Sequence, residues 1–404
     1  MWKLDESRRQ FYVDCGRPEE NFWKTLFEQA ERQELVRDGK YAEFLKWNPE
    51  HSNCPELNDV TKALIELAPV EWKATMRNIF VARAFKGEAN AEASSFRSAG
   101  IIELNYGFTM AAMIYTTLFS HFCDSILTAG KEVDFCDDDT DVTMMILEEI
   151  ERSAFEPIDV TDQSLQRWAA ERHVRPTHAL QIDLPHRRSK SDYFNLVAAV
   201  EEFVVAHEFC HHMLGHTDSS FRHSRTARKT VEGWLQRIGI QELLDDLNED
   251  QKDEVEADVG AFLLLSGVFT ETASRPRTYR AVGGSMLALV ALAHVSESWI
   301  SRGEGETHPD FLTRYEIMFR LVREVTLQMP MGEIGDHPMG FMIQLRGFIS
   351  AVLQTWASKA GADLGRPNFL NIFSWMTDQG SQFMNEHQMH NCVSTETAPG
   401  PQEV

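Results

Sequence analysis

Cysteine is sparse in this chain: Cys15, Cys54, Cys123, Cys136, Cys210 and Cys392 are the six in 404 residues. No two of them form a C-x-x-C pair. That argues against a cysteine-ligated zinc site or a tight disulfide framework, and favours a reducing compartment. Positive charge is also short, with 39 Lys and Arg against 62 Asp and Glu, a formal net charge of −23. Such a surface repels nucleic acid and anionic lipid, so neither is expected as a partner. Long apolar runs are scarce as well. The opening MWKLDESRRQ carries charge where a secretory signal would carry its apolar stretch. Residues 104–123 and 281–296 both lack Asp, Glu, Lys and Arg. The first contains Asn105, three threonines, Ser120 and His121, and the second is too short to span a bilayer. Both read as buried helices of a soluble, cytoplasmic protein. There is no internal repeat and no low-complexity domain.

Apolar positions at helical spacing fill most of what remains, so the expected fold class is mainly α with a small β element. Helical patterns cover 17–48 and 58–86, with a break at Pro69. The polar stretch 87–100 reads as a connection, and IIELNYG (101–107) is the best strand candidate. The main helix is predicted from about Ser191 to Leu214, with Gly215 as its stop signal. Further helices are expected at about 228–247, 250–267, 279–299, 309–328, 338–359 and 367–385, before a polar tail that reads as disordered.

The chemistry sits in FVVAHEFCHHMLGH, residues 203–216. On a helix, His207 and His211 are one turn apart and point the same way, so two imidazoles can reach one metal ion. Glu208 lies about 100° around the helix, close enough to act as general base on a water beside that ion. The preceding LVAAVEEFVVA is largely apolar, and two histidines with a glutamate are costly in a buried helix without a purpose. A metzincin would need glycine at 214 and histidine at 217, where this chain has Leu214 and Thr217. His216 is therefore read as a helix-terminal residue and not the third ligand, while His212 and Cys210 point off the metal face. The third ligand is expected from DEVEADVGAFLLL, residues 253–265, where Glu254 and Asp258 share one face and Glu256 points elsewhere. Glu254 is assigned to the metal and Asp258 to orienting a ligand histidine.

H-E-x-x-H followed by E-x-E-A-D resembles the gluzincin peptidases of the HtpX and CAAX-processing type, and the soluble IrrE/ImmA proteins. ETHPDFLTRYEIM, residues 306–318, adds the T-H-P element with an arginine six residues after its histidine. The order of these elements is most similar to the Lit-type phage-exclusion proteases. This resemblance implies a zincin-like metallopeptidase core at 96–325, to which helical spacing adds helical regions at 1–95 and 326–386, before a tail at 387–404. It implies Zn2+ as cofactor, His308 as stabiliser of the tetrahedral intermediate and Arg314 in a supporting position. It also implies that IIELNYG is the edge strand over the cleft. The expected function is a soluble zinc endopeptidase that cuts a protein substrate in defence or stress response, restrained by a trigger or regulatory partner. The alternative is an IrrE/ImmA-like regulator that binds or cleaves a repressor.

Overall fold

The computed structural model describes residues 4–14, 46, 55–84, 90–96, 99–105, most of 107–123, 174–176, 180–182, 190–217, 225–270, 273–296, 307–329 and 338–359. Among these the chain is mainly helical, with a small sheet, as its composition and periodicity predict. In chain order the elements are α1 (Leu4–Asp14), α2 (Pro55–Leu67), α3 (Val70–Met76), β1 (Ile79–Ala84), β2 (Ala91–Phe96) and β3 (Ala99–Asn105). A two-strand ribbon of β4 (Val174–Pro176) and β5 (Leu180–Ile182) precedes α4 (Lys190–Leu214). The remaining helices are α5 (Arg225–Arg237), α6 (Gln241–Asp245), α7 (Glu249–Ser266), α8 (Arg275–Ser296), α9 (Phe311–Leu327) and α10 (Pro338–Lys359).

The core is built around α4, which packs along both α7 and α8. Phe203, Val205, Ala206, Phe209 and Cys210 of α4 are buried, and α7 buries an unbroken run from Ala257 to Ser266. Each large apolar side chain so covered contributes roughly 1.5–3 kcal/mol. Two glycines set how closely the helices approach. A Cβ on Gly284 of α8 would stand 2.3 Å from the Ala199 carbonyl oxygen of α4, so only glycine fits that crossing. A Cβ on Gly260 of α7 would meet the Cys210 sulfur at 2.9 Å.

The sheet corrects several expectations. Its order is β1-β3-β2, with β1 parallel and β2 antiparallel to β3. The strand that contains IIELN (residues 101–105) is therefore central and fully buried, and not the edge over the cleft. That edge is β2, which lies inside the stretch read as a connection. The helix read over 58–86 gives way to strand at Ile79, where Ile-Phe-Val-Ala joins the core. The sheet thus runs across residue 95, and the region 1–95 is not helical throughout. The expected helices at 17–48 and 367–385 and the tail at 387–404 lie outside the described residues, apart from Lys46. No helix among the described residues is long and apolar enough to cross a membrane.

A buried ion pair fastens this sheet to α4. Arg83 of β1 donates to Glu201 at 3.2 and 3.3 Å, and Thr109 donates to the same carboxylate at 2.6 Å. Glu201 lies six residues before His207, so the clamp fixes the depth and rotation of the motif helix beneath the sheet.

Candidate active site

Residues 207–211 lie in the last turns of α4, and the helix ends where Gly215 takes a positive φ of 88°. The amides of Gly215 and His216 both donate to the His211 carbonyl, at 3.2 and 2.9 Å, closing the helix as a left-handed glycine cap does. Opposite lies the start of α7, secured by a capping box. Asn248 accepts from the Gln251 amide at 2.9 Å, and Gln251 accepts from the Asn248 amide at 3.1 Å. The Gln251 side chain also reaches the His308 carbonyl at 3.5 Å, tying the T-H-P segment to α7.

Between the two helices, His207 Nε2 and His211 Nε2 stand 3.0 Å apart. Glu254 brings Oε2 to 3.3 Å from His207 Nε2 and Oε1 to 3.3 Å from His211 Nε2. Those three side chains offer donor atoms close enough together to hold one metal ion. Two nitrogens and a carboxylate oxygen suit zinc better than magnesium or calcium, which prefer all-oxygen shells. Glu254 Oε2 is buried and is approached by His207 Nε2 and His308 Nε2, so this oxygen sits where the imidazoles converge. Asp258 faces the other side of His207, with its Oδ1 2.9 Å from Nδ1. Arg314 of α9 grips that aspartate by two parallel hydrogen bonds of 2.8 Å. His308 Nε2 lies 3.4 Å from Glu254 Oε2, with its side chain half exposed.

Electrostatics follow from burial and from this shortage of positive charge. Burial pushes the Glu208 carboxyl above its usual range, and His207 and His211 only partly pull it back. Burial works against a charged His207, yet Asp258 and Glu254 outweigh it and push the imidazole up to about 10. Burial would raise Asp258, but Arg314 and His207 hold it down at about 2. In Glu254 the same opposition is settled by His207 and His211, which keep it well below the usual carboxylate range. His308 is lowered by burial and by Arg314, against the pull of Glu254.

A cleft of about 660 Å³ opens over these groups. Asn90 to Ala93 of the β2 edge form one wall, and His308, Pro309 and Phe311 form part of the other. The geometry gathers His207, Glu208, His211, Glu254, Asp258, His308 and Arg314 into one place. Three participants were not read from sequence. Gln251 carries no signal in the sequence that marks it, and β2 has too little apolar alternation to register as a strand. His216 does follow the helix end, as a helix-terminal or loop residue, and its ring is buried beside His211. The signal that could have found it is Gly215, because a left-handed cap turns the next residue back under the helix.

No curated protein and no solved structure matches the chain. The model of the Peptidase U49 family matches residues 110–325, a stretch that contains both motif helices and the T-H-P segment. That match spans more than half of the sequence, in agreement with the Lit-type order of motifs, and the chain belongs to the Peptidase U49 family.

Proposed function

We propose that this peptidase is a zinc-dependent endopeptidase of the gluzincin kind, with His207, His211 and Glu254 as metal ligands and Glu208 as general base. The observation that carries the reading is the meeting of two imidazole Nε2 atoms at 3.0 Å, with Glu254 3.3 Å from both. At that separation each Nε2 can present a lone pair to one cation held between the two rings, with the Glu254 carboxylate completing the set. A zinc ion at such a position acts as a Lewis acid that polarises a carbonyl and acidifies a water molecule.

The chain's own groups supply the rest. Glu208, raised by burial, takes the proton from the attacking water and passes it to the leaving amine. His308, at the mouth of the cleft, donates to the carbonyl oxygen as negative charge develops there. The edge of β2, unpaired among the described residues, can pair with an extended peptide and lay its scissile bond beside Glu208. The substrate is therefore a protein segment able to enter as a strand. The scarcity of paired cysteines and the Lit-type order of motifs support a cytoplasmic role in defence or stress response, with activity restrained by a trigger or regulatory partner.

The test compares new protein N-termini in cells expressing the wild type with those expressing Glu208→Gln. Termini that appear only with the wild type are expected, and they name the substrate. Matching sets, even after challenge with phage or stress, would move the IrrE/ImmA-like binding role ahead.

A further inference from the structure

His216 has a role that the zinc reading leaves unassigned. We infer that His216 is a positioning residue that fixes the tautomer and tilt of His211 through a Glu256–His216–His211 chain. This inference rests on the metallopeptidase reading above.

His216 Nδ1 lies 3.1 Å from His211 Nδ1, with the ring centroids 5.2 Å apart and the planes at 73°. A neutral imidazole carries one N–H and one lone pair, so each ring's partner at one nitrogen decides what the other nitrogen offers. To bind a metal, His211 must present the lone pair of Nε2, which places its hydrogen on Nδ1. That hydrogen points at His216 Nδ1, which must then accept and keep its own hydrogen on Nε2. There two carboxylates wait, Glu256 Oε2 at 3.2 Å and Asp253 Oδ1 at 3.4 Å. The acidic end of the chain therefore selects the one tautomer of His211 that can serve as a ligand. His207 is held in the equivalent way by Asp258.

The same three side chains, His216, Asp253 and Glu256, are also close enough to hold a cation of their own. The contact at 3.1 Å opposes that use. A cation there would take the lone pair of His216 Nε2 and leave a hydrogen on Nδ1, facing the Nδ1 hydrogen of a metal-bound His211. Two hydrogens do not fit in that gap, so one ion at His211 and a second at His216 exclude each other. Arg228, with its Nε 3.7 Å from Glu256 Oε2, already supplies positive charge at that end.

Zinc affinity and stoichiometry test this without reference to turnover. The full-length, metal-free protein is titrated against a fluorescent zinc chelator as wild type, His216→Phe, His216→Asn, Glu256→Ala and His211→Ala. Phenylalanine keeps the ring and removes the acceptor, whereas the Asn Oδ1 falls near the place of Nδ1. We expect one equivalent of zinc in the wild type and a loss of about 10- to 100-fold in affinity for His216→Phe. Most of that loss should be recovered in His216→Asn, a rescue that mere space-filling would not produce. Wild-type affinity in His216→Phe overturns the inference. Two equivalents in the wild type and one in His216→Phe also overturn it, in favour of a second metal site. If His216→Phe does not fold, Glu256→Ala decides: about tenfold weaker binding supports the chain, and unchanged binding sinks it. No zinc in the wild type, or unaltered binding by His211→Ala, brings down the metallopeptidase reading itself.

Discussion

Arg314 on α9 holds Asp258 on α7 through two hydrogen bonds of 2.8 Å, and the same Asp258 stands 2.9 Å from the Nδ1 of His207. Both members of the ion pair are buried, so neither can turn to water if the other is lost. Arg314→Met should cost on the order of 3–5 kcal/mol, because it strands a buried carboxylate. Chemical denaturation of the metal-free proteins gives the value. Combining it with Asp258→Asn should cost clearly less than the sum of the two single changes. Additive losses would mean that the two side chains do not act as a pair.

The edge of β2 offers a sharper test of peptide binding. The Asn105 amide donates to the Asn90 carbonyl at 3.0 Å, so residues 90, 92 and 94 pair with β3 while 91, 93 and 95 turn their amides to the edge left open among the described residues. Ala93 lines the cleft, and proline on an outer edge removes no ladder bond. Ala93→Pro should raise KM for the native substrate several-fold and leave thermal stability nearly unchanged. Glu92→Pro should instead break the pairing with Glu103 and destabilise the sheet. An Ala93→Pro enzyme with unaltered KM would remove β2 from substrate binding.

His212 gives the protein an acid-sensitive contact. Its ring is fully buried, reaches the Ile101 backbone and lies 3.1 Å from the Thr217 hydroxyl. Burial, reinforced by His211, pulls it down from 6.5 to about 4. The unfolded chain therefore takes up a proton that the folded chain refuses as pH falls through 6.5. This contribution to stability is complete above that pH and is lost progressively toward pH 4, amounting to about 3 kcal/mol. Urea midpoints of the metal-free wild type and His212→Gln, measured at pH 7.5 and 4.5, should show the smaller acid loss in the variant. Equal losses would show that His212 is protonated in the folded state.

The contact between Gly260 and Cys210 should be sensitive to a single methyl group. A Cβ at 260 would lie 2.9 Å from the sulfur and 3.3 Å from the Cβ of Cys210, where α7 crosses α4. Gly260→Ala should destabilise by about 1–3 kcal/mol despite its better helix propensity, because the α4–α7 spacing is already filled. Adding Cys210→Ala should restore most of that stability. If Gly260→Ala alone is neutral, the two helices are free to separate.

The sequence by itself determined the groups whose relationship is local. His207 with His211 and Glu254 with Asp258 are each four residues apart on one helix, so their shared face follows from helical geometry alone. The end of α4 at Leu214 was equally legible, since Gly215 is the residue suited to a left-handed cap. Most of the helices from 225 onward were readable for the same reason, although the segment read as one helix over 228–247 is divided between α5 and α6 near Gly239. What only the tertiary structure decided are the relationships between elements. Strand order depends on packing against α4, which is why β3 is central and the weakly patterned β2 forms the cleft edge. The grip of Arg314 on Asp258 and the approach of His216 to Glu256 join residues 56 and 40 positions apart. No periodicity encodes such distances, because they are fixed by how α7 packs against α9 on one side and against the end of α4 on the other.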